Sequence, residues 1–194
     1  MPGSPSSEER GCLGTVYGIT STFLRERQLL DDVKARLSPS SRRVLEKPPF
    51  ALSWQPSAPL EEIEKLLFAK SPELVVELGH AAGRQLSGTL VAPVLKMALS
   101  MFGQTPATMF GHLDRFFSMA VRGFNFQYEP RGDKDGVVRV RIEGGQVHRS
   151  LFEQVRGNLL TVYDLCSVIG EVGSAEILRQ DAAGAEIRLP VRWG

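Results

Sequence analysis

The sequence predicts an α+β domain in which helices pack on a four-stranded antiparallel sheet. Three observations lead there. Apolar residues recur at helical spacing through most of the first 122 positions and again from about His148 to Ile169. Strict alternation appears in Phe124, Phe126 and Tyr128, in Val138, Val140 and Ile142, and in Ile187, Leu189, Val191 and Trp193. Turns rich in Asp and Gly, Arg131–Gly136 and Asp181–Gly184, join neighbouring strands closely enough to make them antiparallel.

The stretch from Glu73 to Tyr128 organises the rest. Its first helix follows Ser71-Pro72 and reaches about Leu86, with Leu74, Val75, Leu78, Ala82 and Leu86 on one side. Gly79 and Gly83 stand four apart, so both lie on one face. Each costs up to ~1 kcal/mol of helix propensity relative to Ala, and the pair signals close approach of a neighbouring backbone. A second helix, roughly Val91 to Phe102, is apolar on nearly every side with Lys96 as its one charge, the pattern of a buried or interfacial helix. Val91, Leu95 and Leu99 are its candidate dimer interface. The third helix starts at Thr105 as N-cap with Pro106 at the first helical position. Its stripe of Met109, Phe110, Leu113, Phe116, Phe117, Ala120 and Val121 predicts one helix ending at Gly123. Phe110, Leu113, Phe116 and Phe117 are ordinary core residues by spacing, or the lining of an apolar ligand pocket.

Upstream, residues 1–12 read as a disordered leader without the basic and apolar regions of a signal peptide, and residues 13–194 as a single domain. Gly14 to Thr20 predicts a short strand and Thr22 to Leu37 a helix, followed by a helical turn at Ser41 to Leu45. Lys47 to Pro59 holds four prolines and reads as an irregular connection, with Phe50, Leu52 and Trp54 over the core. A helix from Ser57 or Ala58 to Ala69 turns Leu60, Ile63, Leu66, Leu67 and Phe68 inward. After the sheet begins, Gly144-Gly145 breaks the chain. The helix beyond it buries Leu151, Val155, Leu159, Val162, Cys166 and Ile169, and a final hairpin runs from Glu171 to Trp193.

The 194 residues are 42% hydrophobic and 23% charged, with a formal net charge of +1. Dispersed basic residues give no electrostatic footprint for nucleic acid, and no apolar run is long enough to span a membrane. Cys12 and Cys166 leave a disulfide open, but two thiols in a chain of this size fit a reducing, cytoplasmic setting.

Catalytic signatures are absent. The chain has no Cys-x-x-Cys, no His-Glu-x-x-His and no Gly-x-Ser-x-Gly. Gly83 to Thr89 has the glycine spacing of a phosphate loop without its lysine, at a helix end. His80, His112 and His148 are scattered and share no metal-ligand spacing. His80 reads as solvated or locally paired near Glu77 and Arg84, and His148 as a helix cap. His112, on the shoulder of the aromatic stripe, is the one position where a haem-ligand role arises. No catalytic residue, metal or cofactor is expected.

The run Glu77-Leu-Gly-His-Ala-Ala-Gly-Arg84, then Leu113-Asp-Arg-Phe-Phe117 and Gly123-Phe-Asn-Phe126, resembles a myxobacterial family of uncharacterised paralogues of similar length. The opening Gly14-Thr-Val-Tyr-Gly18 and the closing Val191-Arg-Trp193 resemble it too. That family is similar in fold to haem nitric-oxide/oxygen-binding, four-vinyl-reductase and transport-protein-particle domains, and the resemblance implies helices packed on an antiparallel sheet. In the haem branch it implies a proximal histidine on the helix before the sheet. Phe117 stands at that place here, and Arg141-Ile-Glu-Gly-Gly145 replaces the motif that grips the haem propionates. The other branches imply dimerising modules with small apolar ligands or protein partners. The expected function is therefore a non-catalytic sensory or interaction module, homodimeric, with a small apolar ligand or a protein partner. The alternative is a haem-based gas sensor.

Overall fold

The computed structural model describes residues 10–88, 92 and 104–194. The apolar second helix, with Val91, Leu95 and Leu99, lies outside them except for Ala92, which is helical.

The fold is α+β, as the periodicities require. Strand β1 (Gly11–Leu13) opens it, inside the stretch the sequence assigns to a leader, because Arg10 and Cys12 find buried partners in the body of the protein. Helix α1 (Gly14–Glu26) follows directly, where the sequence predicts a strand. The short β-branched run fits either state, but over a longer window Val16, Tyr17, Thr20, Phe23 and Leu24 share the 3.6-residue period and are all buried. Thr20 reinforces the helix by donating its hydroxyl to the Val16 carbonyl at 2.9 Å. The predicted Thr22–Leu37 helix divides at Gln28, whose φ is 57°, so that α2 (Leu30–Arg36) turns away.

Helix α3 (Pro39–Glu46) is capped by Ser38, and α4 (Ala58–Lys70) runs as expected. Between them β2 (Trp54–Pro56) pairs with β1. Phe50 and Leu52 do not cover the core: they are 75% and 57% exposed. The loop docks by backbone instead. Gly14 lies so close to the Phe50 carbonyl that a Cβ would sit 2.2 Å from it, which leaves the Phe50 ring outside. Trp54 is half-buried, with the Arg122 guanidinium 3.8 Å from its ring centroid.

Helix α5 (Pro72–Gly88) crosses α8 (Arg149–Cys166) at very short range. A Cβ on Gly79 would lie 2.3 Å from the Gln154 carbonyl oxygen, and one on Gly157 2.0 Å from that of Val76. Glycine on both helices is what permits the crossing. The predicted third helix is two short ones, α6 (Pro106–Gly111) and α7 (Leu113–Phe117), broken at His112 beside a glycine that holds helix weakly. It also ends early. Val121 and Arg122 form β3, because the free edge of β1 takes them as partners through Cys12 and Gly11. Gly123, at φ 85°, then redirects the chain into the main sheet.

That sheet is antiparallel: β4 (Phe124–Pro130), β5 (Asp135–Glu143) and β8 (Gly184–Trp193) lie side by side. The fourth row, predicted as one strand, is two pieces on the same edge of β8: β6 (Gly170–Val172) and β7 (Glu176–Gln180). Ser167 ends α8 in the left-handed region at φ 54°, which leaves Ile169 88% exposed instead of buried on the helix stripe. The largest core packs Val138, Val140, Ile142, Ile187 and Leu189 of the sheet against Leu151, Val155, Leu159 and Val162 of α8. A second core fills the space among α1 to α5.

Candidate ligand-binding site

A cavity of about 90 Å³ opens among the helices, with Val121 of β3 at its edge, in a measure where one water takes roughly 10–15 Å³. Ala82, Gly83 and Leu86 of α5 form one wall, and Asn158, Thr161 and Leu165 of α8 another. Met109, Leu113, Phe116 and Phe117 close it from α6 and α7, with Val16 of α1 beneath. Gly83 is there because α5 presses on Thr161: a Cβ would lie 2.2 Å from the Thr161 hydroxyl. That hydroxyl is buried and finds no hydrogen-bond partner among the described residues.

Of the four pocket residues named from sequence, Leu113, Phe116 and Phe117 line this cavity. Phe110 does not. It lies in the main core, stacked on Tyr128 at 5.6 Å between ring centroids and edge-on to Tyr163 at 5.7 Å. Phe117 stacks on Phe126 at 4.3 Å.

A smaller cavity of about 40 Å³ adjoins the first, sharing Val16, Phe117, Val121, Gln154 and Asn158 with it. Its floor is polar, with Cys12, Ser57, Glu61 and Glu64. Glu61 is held by a bidentate bond from Arg10, Nε to Oε1 at 2.8 Å and Nη2 to Oε2 at 3.0 Å, and it accepts the Ser57 hydroxyl at 2.7 Å. Burial pushes the Glu61 carboxyl up, but these donors outweigh it and hold the group below the usual carboxylate range. Arg10 also donates to the carbonyls of Glu143, Gly144, Gly145 and Gln146, at 2.9 to 3.1 Å.

Glu64 is different. It is 0% exposed, and neither carboxylate oxygen has a hydrogen-bond partner among the described residues. Burial, with Glu61 beside it, raises its pKa well above the ordinary 4.5, which favours the uncharged acid. The sequence reading passes over it, although the signal was present: Glu64 stands four after Leu60 and three before Leu67 on the inward stripe of α4. Cys12, also on that floor, is pushed up to about 12 by burial and by the two glutamates. Burial takes Cys166 to about 11. Both thiols are free, and burial favours their protonated form.

The histidines do not converge. His80 pairs with Asp164 of α8, Nε2 to Oδ2 at 2.7 Å, while Glu77 pairs with Arg27 at 2.7 Å, so no Glu77–His80 couple forms. His148 caps α8, its Nδ1 accepting the Ser150 N–H at 3.1 Å. His112 stands at the N-cap position of α7 with its ring 6.4 Å from that of Phe116, and it is not a wall of either cavity. Among the described residues, no group of three or more His, Cys, Asp or Glu is arranged to hold a metal ion.

No protein-family model and no curated protein matches this chain. Solved structures do. The Fe(II) unliganded H-NOX protein from K. algicida is 9% identical, with a TM-score of 0.69 over 94% of this chain and 96% of its own. An oxygen-binding H-NOX domain related to soluble guanylate cyclases is 13% identical, with a TM-score of 0.64 over 93% of this chain and 94% of its own. The chain has an H-NOX-like fold.

Likeness at this level concerns the fold alone, and the residues decide about haem. Protein ligands to haem iron are imidazole, thiolate, thioether or phenolate. Among the described walls of the larger cavity only the Met109 thioether belongs to that set, and no Arg or Lys faces in to meet a propionate. The described donor set does not fit haem. Among the described residues, no helix is long and apolar enough to cross a membrane.

Proposed function

We propose that this chain is a non-catalytic, cytoplasmic sensory module that holds a small, mainly apolar ligand between its helices and its sheet. The observation that carries this reading is the cavity walled by Leu86, Leu113, Phe116, Phe117 and Leu165, with few polar groups. A concave, mostly apolar site with a few placed polar atoms is the usual form of a small-molecule pocket. The fold supports a sensor over a bare interaction platform, since structures of like fold include an oxygen complex.

Fold likeness by itself favours a second reading, the haem-based gas sensor, because work on the similar structures concerns haem distortion in the H-NOX family. Against it stand Phe117 at the cavity wall and the absence of imidazole or thiolate from the described lining. Native mass spectrometry of freshly purified protein, followed by haem titration with visible spectra, separates the two. The expected result is a retained small ligand and no Soret band. A stoichiometric Soret band would establish the haem reading instead, and a protein that takes up neither would return it to the interaction platforms.

The same reading makes the chain a homodimer through Val91, Leu95 and Leu99, supported by the apolarity of that segment in sequence. Sedimentation velocity is expected to show a dimer for the wild type and a monomer for Leu95→Asp. Equal sedimentation of the two would sink that interface.

A further inference from the structure

The two cavities share five wall residues and differ in chemistry at their far ends. The larger is apolar, whereas the smaller ends on Glu64, fully buried and without a hydrogen-bond partner among the described residues. A buried carboxyl left unpaired is costly, and native proteins rarely keep one without a use. Leucine would fill nearly the same volume there without burying a polar group. Its place on the inward stripe of α4, lining a hollow, points to an occupant.

We propose that the two cavities are one binding site and that Glu64 is its polar anchor, taking the hydrogen-bonding end of an uncharged amphipathic ligand. The apolar body of that ligand lies among Leu86, Leu113, Phe116 and Leu165. Its hydroxyl, carbonyl or amide passes Phe117 and Asn158 to reach the Glu64 carboxyl. This inference rests on the reading of the chain as a small-ligand module and adds the ligand's class.

The surroundings of Glu64 select a neutral head. Glu61 lies on the same helix, but both its oxygens are already taken by Arg10. Lys65 acts on Glu64 from the same helix, and Cys12 of β1 and Tyr17 of α1 lie on its other sides, both protonated. Tyr17 spends its hydroxyl on the Pro56 carbonyl at 2.5 Å. The Arg10 charge is thus matched by Glu61, and neither Arg10 nor Lys65 is among the described walls of the smaller cavity, where an incoming anion would sit. A neutral acid at Glu64 both donates through its hydroxyl and accepts through its carbonyl, so an alcohol or an amide satisfies it without burying charge.

The test uses two probes of nearly equal shape, benzyl alcohol and ethylbenzene, on the full chain by titration calorimetry. The variants are Glu64→Leu, which removes the polar anchor, and Glu64→Gln, which keeps one. Wild type and Glu64→Gln are expected to bind both probes. In Glu64→Leu the preference for the alcohol over the hydrocarbon should fall at least tenfold, with ethylbenzene binding kept. Difference infrared spectra supply the direct readout: the carboxylic acid carbonyl band of Glu64 should shift on adding benzyl alcohol, and the shift should vanish in Glu64→Gln.

An unchanged preference in Glu64→Leu, or no band shift, overturns the anchor while leaving the apolar pocket standing. Binding of ethylbenzene alone has the same meaning. If the wild type binds neither probe, the small-ligand reading falls and the anchor falls with it.

Discussion

Glu64 is a carboxylic acid that the fold keeps from water, and its protonation links stability to pH. Its folded pKa lies above the ordinary 4.5, so the unfolded chain loses the proton first as pH rises. The native state then binds more protons than the unfolded one, and stability falls with pH from about that value upward to the folded pKa. Glu64→Gln cannot ionise. Urea denaturation should show it close to wild type at pH 4 and more stable than wild type at pH 8, the gap widening in between. A constant gap across that range would mean that Glu64 is charged in the folded protein. Arg10 shows the opposite case of a buried charge with every donor used. Arg10→Ala strips the mostly buried Glu61 carboxylate of its charge partner and leaves it the Ser57 hydroxyl alone; breaking a buried pair typically costs about 3–5 kcal/mol, readable in the same experiment as a large drop in the midpoint.

At the scale of elements, the crossing of α5 and α8 decides where the cavity lies. It brings Gly83 against Thr161 and sets both helices over the sheet, and it exists because Gly79 and Gly157 present no side chain to the opposing backbone. Gly157→Ala pushes a methyl group into the Val76 carbonyl, and overpacking of this kind costs roughly 1–3 kcal/mol. Gly18 supplies the control. It lies within α1 with nothing within 4 Å of an added Cβ, so Gly18→Ala should stabilise by roughly 0.4–1 kcal/mol. Opposite signs for these two glycine-to-alanine changes, measured by thermal or urea unfolding, are the expected outcome. Equal signs would mean that helix propensity and not the crossing governs Gly157. Thr105 caps α6 by accepting the Thr108 N–H at 3.3 Å, and Thr105→Ala should cost about 1 kcal/mol.

For the molecule as a whole, the sheet and the long helix α8 packed on it form a floor, and the short helices α6 and α7 close the cavity from the side. Arg10 joins the start of the chain to α4 and to the turn after β5, so one side chain ties together segments more than 130 residues apart in sequence. That arrangement places the smaller cavity where three separate parts of the chain meet. Occupancy should therefore stabilise the whole domain: ligand binding to the native state alone adds about 2.7 kcal/mol at a hundredfold excess over Kd. Thermal unfolding with saturating benzyl alcohol is expected to show a raised midpoint in the wild type.

Periodicity made most of this legible in advance. The α+β class, the Thr105 and His148 caps, helix α4, helix α5 with its close-packed glycines, and the β4–β5 hairpin follow from local pattern, because each is decided by residues within a few turns of one another. Other features did not follow, three of them next to the site. The β-branched run of α1 fits two states, and only burial on several sides selects the helix. Val121 and Arg122 leave their helix because a distant strand edge offers hydrogen bonds. Phe110 and Phe117 share one stripe in sequence, yet a break at His112 sends one into the core and the other to the cavity. The sequence by itself determined the α+β class, most of the helices and the alternating strands with their apolar faces, since those depend on short-range spacing. Only the tertiary structure decided that Glu64 is buried against a hollow and that Arg10 is spent on Glu61, since burial and pairing belong to contacts between segments far apart in the chain.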